Sequence, residues 1–279
     1  MRALFLIPGT AARQLQIFPA VAAVAEQLQA QVQVVCPPAA AGWWALHPAV
    51  EKTIPFPFPT ATLADWSNLL GTVREPDFQL VINLASGRPV NLMLSMSHIP
   101  TRVATGGFSA TQTVRPGGGW PAQAMEAFLQ PIGVTLQADG FRLPVPQADL
   151  DTAAKALPSG TGPLLLLARS GASGDWPASQ WDELPGRIRS RLPDLRVART
   201  TATAPAGSTR QQAARVACAD VVLASDPVTT ELALLLGLPL VALGPASPLP
   251  QRQGVQGVGS AGQLGALGTD AVLAALGFA

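Results

Sequence analysis

Short apolar runs of β type alternate with amphipathic helical stretches, and the alternation occurs twice along 279 residues. No other feature constrains the chain as much, because strands separated by helical crossovers build parallel sheets covered by helices. In the first half ALFLI leads to a helix around IFPAVAAVAEQLQA, then to VQVVC, a Pro-rich passage ending at KTIPF, and a helical ATLADWSNLLGTV. FQLVINL is the next buried strand, RPVNLMLSMS a helix and TRVAT a strand, and a helix at AQAMEAFLQPIG closes the half. TGGFSATQTVRPGGGW holds too many glycines and polar residues for either element and reads as a surface loop.

FRLPVPQADLDTAAKALPSGTG has little periodicity beyond one short helix, so it reads as a linker. The expected division is an N-terminal domain at 1–145, a linker at 146–162 and a C-terminal domain at 163–279. The second half begins afresh with PLLLLA as a strand, SQWDELPGRIRSRL as a helix, LRVART as a strand and STRQQAARVAC as a helix. DVVLA, TTELALLLG and PLVAL follow as strand, helix and strand, and the glycine-rich QGVQGVGSAGQLGALG precedes a last helix, AVLAALGF. The expectation is an α/β fold of two doubly wound, Rossmann-like domains facing across a cleft, with ligands outside the carboxyl ends of the strands.

Basic and acidic side chains nearly cancel, at 18 against 17, which argues against a broad positive surface for nucleic acid. Cys36 and Cys218 have no His or Cys neighbour at metal-ligand spacing, so no metal is expected and a reducing cytosol fits. MRALFLI is too short for a signal-peptide core and reads as a buried strand. The longest apolar run, LALLLGLPLVAL, falls short of the ~20 residues of a membrane span and is broken by Gly237 and Pro239.

The loops after the strands are where chemistry is expected. PGTAARQ supplies Gly9, Thr10 and Arg13; RSGASGDWP supplies Ser170, Gly171 and Ser173; SDPVTTE supplies Asp226, Thr229 and Thr230. Glycine and small hydroxyl residues before a helix suit an anion held on backbone N–H groups, although the same residues are ordinary turn formers. Asp226 before Pro227 is also a strong N-cap followed by proline at the first helical position. Trp176 and Trp181 are spaced to fasten a helix, whereas the loop tryptophans Trp43 and Trp44 are offered either to packing or to a docked sugar. His47 is expected to cap or pack a turn, and His98 to lie on the surface.

MRALFLIPGTAARQLQIFPAVAAV with its Pro19, WALHPAVEKTIPF, DFQLVINLASG, GASGDWPASQWDEL and ACADVVLASDPVTTELALLLGLPLVALGPASP follow one another in an order that resembles the family 9 glycosyltransferases, the heptosyltransferase-like proteins. The resemblance spans most of the chain. It implies a GT-B architecture with acceptor contacts mainly in the first domain and the nucleotide sugar mainly in the second. It also implies no metal, a nucleotide-sugar donor and a glycolipid acceptor, and a cytoplasmic location, peripheral at the inner membrane face where the protein is membrane-attached. The implied reaction is an inverting displacement in which a carboxylate takes the acceptor proton and fixed positive groups stabilise the departing diphosphate.

This chain departs from the family pattern at those working positions. Arg13 stands where the resemblance places an Asp base, and a guanidinium cannot accept a proton at physiological pH. Gly174 stands where a Lys precedes Trp-Pro, or Asp175 if the register slips by one. Val228 takes a Gly position and Glu231 a His position. A carboxylate ~5 Å from a diphosphate charge costs roughly 3 kcal/mol at an effective dielectric near 20. Glu231 is open to three readings: a carboxylate that complements a helix N-terminus, a substitute base, or a charge partner for Arg13.

Two functional classes follow. One is a sugar transferase of altered chemistry, with Glu231 or Asp175 as its catalytic carboxylate. The other is a glycosyltransferase-shaped protein without transfer activity that binds or helps assemble another protein. A sugar-nucleotide epimerase is a third and weaker class, since its acidic and basic residues have no evident positions.

Overall fold

The computed structural model describes residues 1–201 and 209–278, and the chain divides into two compact units, Met1–Phe141 and Arg142–Ala279. The first unit runs β1 (Arg2–Leu6), α1 (Ala11–Gln27), β2 (Gln31–Cys36), α2 (Ala41–Trp44), β3 (Val50–Pro55) and α3 (Leu63–Arg74). It continues through β4 (Leu80–Asn83), α4 (Arg88–Met96), β5 (Thr101–Ala104), β6 (Gln112–Thr113), α5 (Pro121–Ala124) and α6 (Glu126–Leu129). Its six strands are all parallel, in the order β3-β2-β1-β4-β5-β6. Ala3 to Leu6 are wholly buried, which is why this strand reads as an unbroken apolar run: helices cover both of its faces.

The second unit runs α7 (Gln147–Lys155), β7 (Leu164–Arg169), α8 (Ala178–Arg189), β8 (Arg196–Thr201), α9 (Thr209–Ala217) and β9 (Val221–Ala224). It ends with α10 (Pro227–Leu236), β10 (Leu240–Leu243), β11 (Val255–Val258) and α11 (Thr269–Ala275). Among its described residues five parallel strands lie in the order β11-β10-β9-β7-β8. Trp176 and Trp181 pack edge to face at 5.2 Å in the core of this unit, together with Leu184 and Ile188 of α8. They fasten α8 to the sheet, as their spacing predicts.

In each sheet the strand order reverses at one place, between β1 and β4 in the first unit and between β7 and β9 in the second. Loops leaving the carboxyl ends of such a pair diverge and leave a crevice, the usual ligand position of doubly wound sheets.

Three local expectations need correction. The glycine-rich loop after β5 contains the two-residue edge strand β6, whose residues are both exposed and polar and so lack an apolar signal. The helix expected at AQAMEAFLQPIG is two single turns, α5 and α6, and then a 3₁₀ turn that ends at left-handed Gly133. The one short helix expected in the linker segment is α7, which packs on α9. β11 lies in the glycine-rich tail, where Gly257 admits the ring of Pro245 so closely that an added Cβ would approach it to 3.0 Å. Of the helix expected from Ser208, the described part is Thr209–Ala217, and Ser208 lies outside the described residues. Among the described residues no helix is long and apolar enough to cross a membrane, and no three His, Cys, Asp or Glu side chains cluster as metal ligands would.

Candidate functional site

In the first unit the loop after β1 turns at Gly9, whose φ of +108° favours glycine, and ends at Thr10, the N-cap of α1. The Thr10 side chain accepts from the Arg13 N–H at 3.4 Å. Arg13 stands in the first helical turn, where a cation opposes the positive end of the macrodipole, so it gives the helix no help. It lines a cavity of about 250 Å³ with Leu84, Thr105, Gly117, Met125 and Phe128, and its Nη1 donates to Gln16 Oε1 at 3.3 Å.

Beneath this loop lies a buried polar relay. Gln14 donates to the Ile7 carbonyl at 3.0 Å and accepts from Trp44 Nε1 at 2.9 Å. His47 pairs its Nε2 with the Phe18 carbonyl at 3.0 Å and accepts the Ala49 N–H on Nδ1 at 3.2 Å, which fixes the neutral tautomer with hydrogen on Nε2. Burial lowers its pKa to about 4, against the hydrogen bonds at Phe18 and at its own backbone. Trp43 and Trp44 are 6% and 1% exposed, so neither presents a face to a sugar; both are core. His98 is exposed, with its Nε2 2.9 Å from Arg74 Nη2.

In the second unit the loops that follow β7 and β9 are hydrogen-bonded within themselves and to each other. The Ser170 N–H donates to Ser225 Oγ at 3.0 Å, which ties the two loops together. Asp175 Oδ2 accepts from Ser170 Oγ and from the Gly171 N–H, each at 2.9 Å, while Oδ1 accepts the Trp176 N–H at 2.7 Å. The Ala172 N–H goes to Ser170 Oγ at 3.2 Å, and Arg169 Nε stands 3.8 Å from the carboxylate. Burial acts to raise the Asp175 pKa, but hydrogen bonds from Ser225, Gly171, Ser170 and Trp176 outweigh it and hold the carboxyl below its usual range. Of the N–H groups expected to meet an incoming anion, Gly171 and Trp176 give theirs to Asp175, and Ser170 and Ala172 give theirs to serine hydroxyls. Ser173, the remaining candidate of this loop, is exposed.

The loop after β9 is equally self-contained. Asp226 caps α10 and accepts the Thr229 N–H at 2.8 Å and the Thr229 hydroxyl at 2.6 Å. The Thr230 hydroxyl donates to the Asp226 carbonyl at 2.9 Å. Thr229 and Thr230 are buried, so their hydroxyls shape the helix start and are not displayed. Val228 lies inside the helix at its second position, and Glu231 is buried in the next turn.

Gly174 has φ +81°, and a Cβ placed there would lie 2.7 Å from the Gly262 carbonyl oxygen. The glycine-rich tail is latched over this point by Leu264 N–H to the Gly174 carbonyl at 3.2 Å and by Trp176 Nε1 to the Leu267 carbonyl at 2.8 Å. Sequence reasoning missed two participants. Ser225 was visible as the residue after a strand, whereas the Gly174–Gly262 approach joins positions far apart in sequence and left no local signal.

No protein-family model matches the chain, and no curated protein matches it. Solved structures do. The ADP-heptose lipopolysaccharide heptosyltransferase II of E. coli superposes with a TM-score of 0.75 at 17% identity, over 99% of this chain and 98% of that one. A glycosyl transferase family 9 protein from Veillonella parvula gives 0.73 at 14% identity, over 92% and 86%. The E. coli heptosyltransferase WaaC with ADP-2-deoxy-2-fluoro heptose gives 0.69 at 16% identity, over 99% of both chains. The fold is that of the family 9 heptosyltransferases.

Within this heptosyltransferase fold, the candidate residues fall at the order reversals of two separate sheets. Gly9, Thr10 and Arg13 follow β1; Ser170, Gly171, Ser173 and Asp175 follow β7; Asp226, Thr229, Thr230 and Glu231 follow β9. The second unit directly joins Ser170, Gly171 and Asp175, and through Ser225 binds them to the β9 loop.

Proposed function

We propose that this chain is a heptosyltransferase-like protein that no longer transfers sugar and acts as a binding or assembly partner of another protein. One observation carries the reading: the Asp175 carboxylate takes the Gly171 and Trp176 N–H groups, the place in the β7 loop that a donor diphosphate would need. A second negative group there meets a carboxylate that its hydrogen bonds keep ionised. Two further features support it. Arg13 cannot act as a base, and the Gly174 position has no room for the side chain that the resemblance places there.

A panel of nucleotide sugars titrated calorimetrically into the full chain, with donor hydrolysis followed in parallel, tests the reading. No heat and no turnover are expected; saturable binding with donor consumption overturns it. No metal is needed under this reading, and chelator leaves partner binding unchanged.

The transferase reading rests on Glu231, a carboxylate in α10 beyond the residues that cap the helix. Under it, a nucleotide sugar and a glycolipid acceptor are the ligands. Turnover would fall ~10²–10⁴-fold in Glu231→Gln.

A further inference from the structure

A cavity of about 120 Å³ lies in the second unit at the amino ends of β7 and β9, away from the loops that leave their carboxyl ends with Ser170, Asp175 and Asp226. Leu165 and Val221, which pair across the two strands, line it. Ile188 enters from the last turns of α8, Leu192 and Leu195 from the turn that follows, and Leu276 and Phe278 from the end of α11. Every residue lining this space is apolar. Leu192, Leu276 and Phe278 are only partly buried, so they form its rim.

The backbone around the cavity is pinned, which keeps the walls from settling inward. A Cβ on Gly162 would fall 2.0 Å from the Asp194 carbonyl oxygen, so the turn after α8 is seated directly on the chain entering β7. Arg196 fastens the same place, with its N–H on the Pro163 carbonyl at 3.0 Å and its Nε on the Gly162 carbonyl at 2.6 Å. Within the turn the Leu195 N–H donates to the Leu192 carbonyl at 3.1 Å, and Arg189 Nε holds the Leu195 carbonyl at 3.3 Å. After α11 the chain reverses at Gly277, with φ +85°, and the Phe278 N–H returns to the Leu273 carbonyl at 2.8 Å. Arg191 Nη1 then donates to the Phe278 carbonyl at 2.5 Å.

We infer that this cavity is a binding site for a small neutral hydrocarbon, the size of one benzene ring. Preformed apolar cavities of roughly 150 Å³ stay dry and take benzene. Water is the poorer occupant, since it needs about two to four hydrogen-bond partners and the lining offers no polar side chain. A second copy of the chain is poorer too: a stable interface needs about 800 Å² from each side, and a rim of three partly buried side chains supplies a fraction of it. The site lies apart from the β7 and β9 loops and does not depend on whether the chain transfers sugar.

Benzene titrated into the full chain tests this, with phenol as the comparison. Benzene binds saturably and raises Tm by roughly 3–5 °C at ten times its Kd. In methyl NMR the resonances of Leu165, Ile188 and Val221 move with that same Kd. Phenol binds at least roughly tenfold more weakly, because its hydroxyl is buried without a partner. The double change Leu192→Phe, Val221→Ile fills the space and raises the Kd for benzene at least roughly tenfold, while thermal melts show the fold retained. Where the double variant does not fold, the methyl shifts of the unaltered chain decide alone. Shifts that never saturate, saturation only at methyl groups elsewhere, or phenol binding as tightly as benzene overturns the inference. So does dimerisation in sedimentation velocity that the double change abolishes with no benzene bound, which would assign the cavity to a second copy.

Discussion

The contact between Gly174 and Gly262 yields a sharp comparison between two glycines of one loop. Gly171 and Gly174 both have left-handed backbone, at φ +69° and +81°. A Cβ at Gly171 meets nothing within 4 Å, whereas one at Gly174 lies 2.7 Å from the Gly262 carbonyl oxygen and 3.1 Å from its Cα. Gly171→Ala therefore bears only the left-handed strain of an L-residue, about 1–2 kcal/mol. Gly174→Ala bears that strain plus an overlap with backbone that cannot rotate away, a further ~1–3 kcal/mol. The second variant should be less stable than the first by about 2 kcal/mol, a factor of roughly thirty in the folding equilibrium. Native-state hydrogen exchange at the β7 and β9 amides reads the opening free energy of this unit directly. Gly174→Lys carries at least the Ala penalty, so it should not recreate a phosphate-binding site. Equal stabilities of the two alanine variants, within about 0.5 kcal/mol, would refute the claim that the tail is seated on Gly174.

Three other outcomes are expected. Asp175→Ala frees the loop N–H groups, so it should lower stability by about 2–3 kcal/mol yet create measurable pyrophosphate binding in calorimetry; no gain in binding would remove the idea of an occupied anion site. His47, with a pKa of about 4 in the folded chain against 6.5 for the free side chain, stabilises the fold fully above pH ~6.5. That stability falls by up to about 3 kcal/mol as pH drops to 4, and urea titrations of His47→Gln should lose this slope. Asp226→Ala removes a buried N-cap that holds two groups of Thr229, and urea unfolding should report a loss of about 2 kcal/mol.

Much of the fold was legible in the sequence, because parallel strands buried on both faces leave continuous apolar runs such as ALFLI and LLLLA. What escaped were elements held by neighbours and not by their own side chains. β6 is two polar residues zipped to β5, and β11 includes a glycine chosen for closeness to Pro245. The short α5 and α6 look like one helix in sequence, since nothing in AQAMEAFL announces a break between Ala124 and Glu126. Asp226 could be assigned as a cap from the Asp-Pro pair alone, and it is one.

The β7 loop shows why a site is harder to read than a fold. Ser-Gly-Ala-Ser-Gly before a helix is the composition of an anion-binding turn, and the composition is the same whether the anion comes from outside or from the chain. Asp175, one residue before Trp176, decides between the two, because its reach brings both oxygens onto the N–H groups and hydroxyl that the turn exposes. A carboxylate in that position needs no ligand to complete the loop, and the Gly174–Gly262 seat keeps it there. The same physics that would make the loop a good diphosphate site therefore makes it a rigid internal fixture once an Asp is built in. Binding of a diphosphate to the unaltered chain with affinity equal to that of Asp175→Ala would contradict this account, since the external anion would then be displacing the internal one without cost.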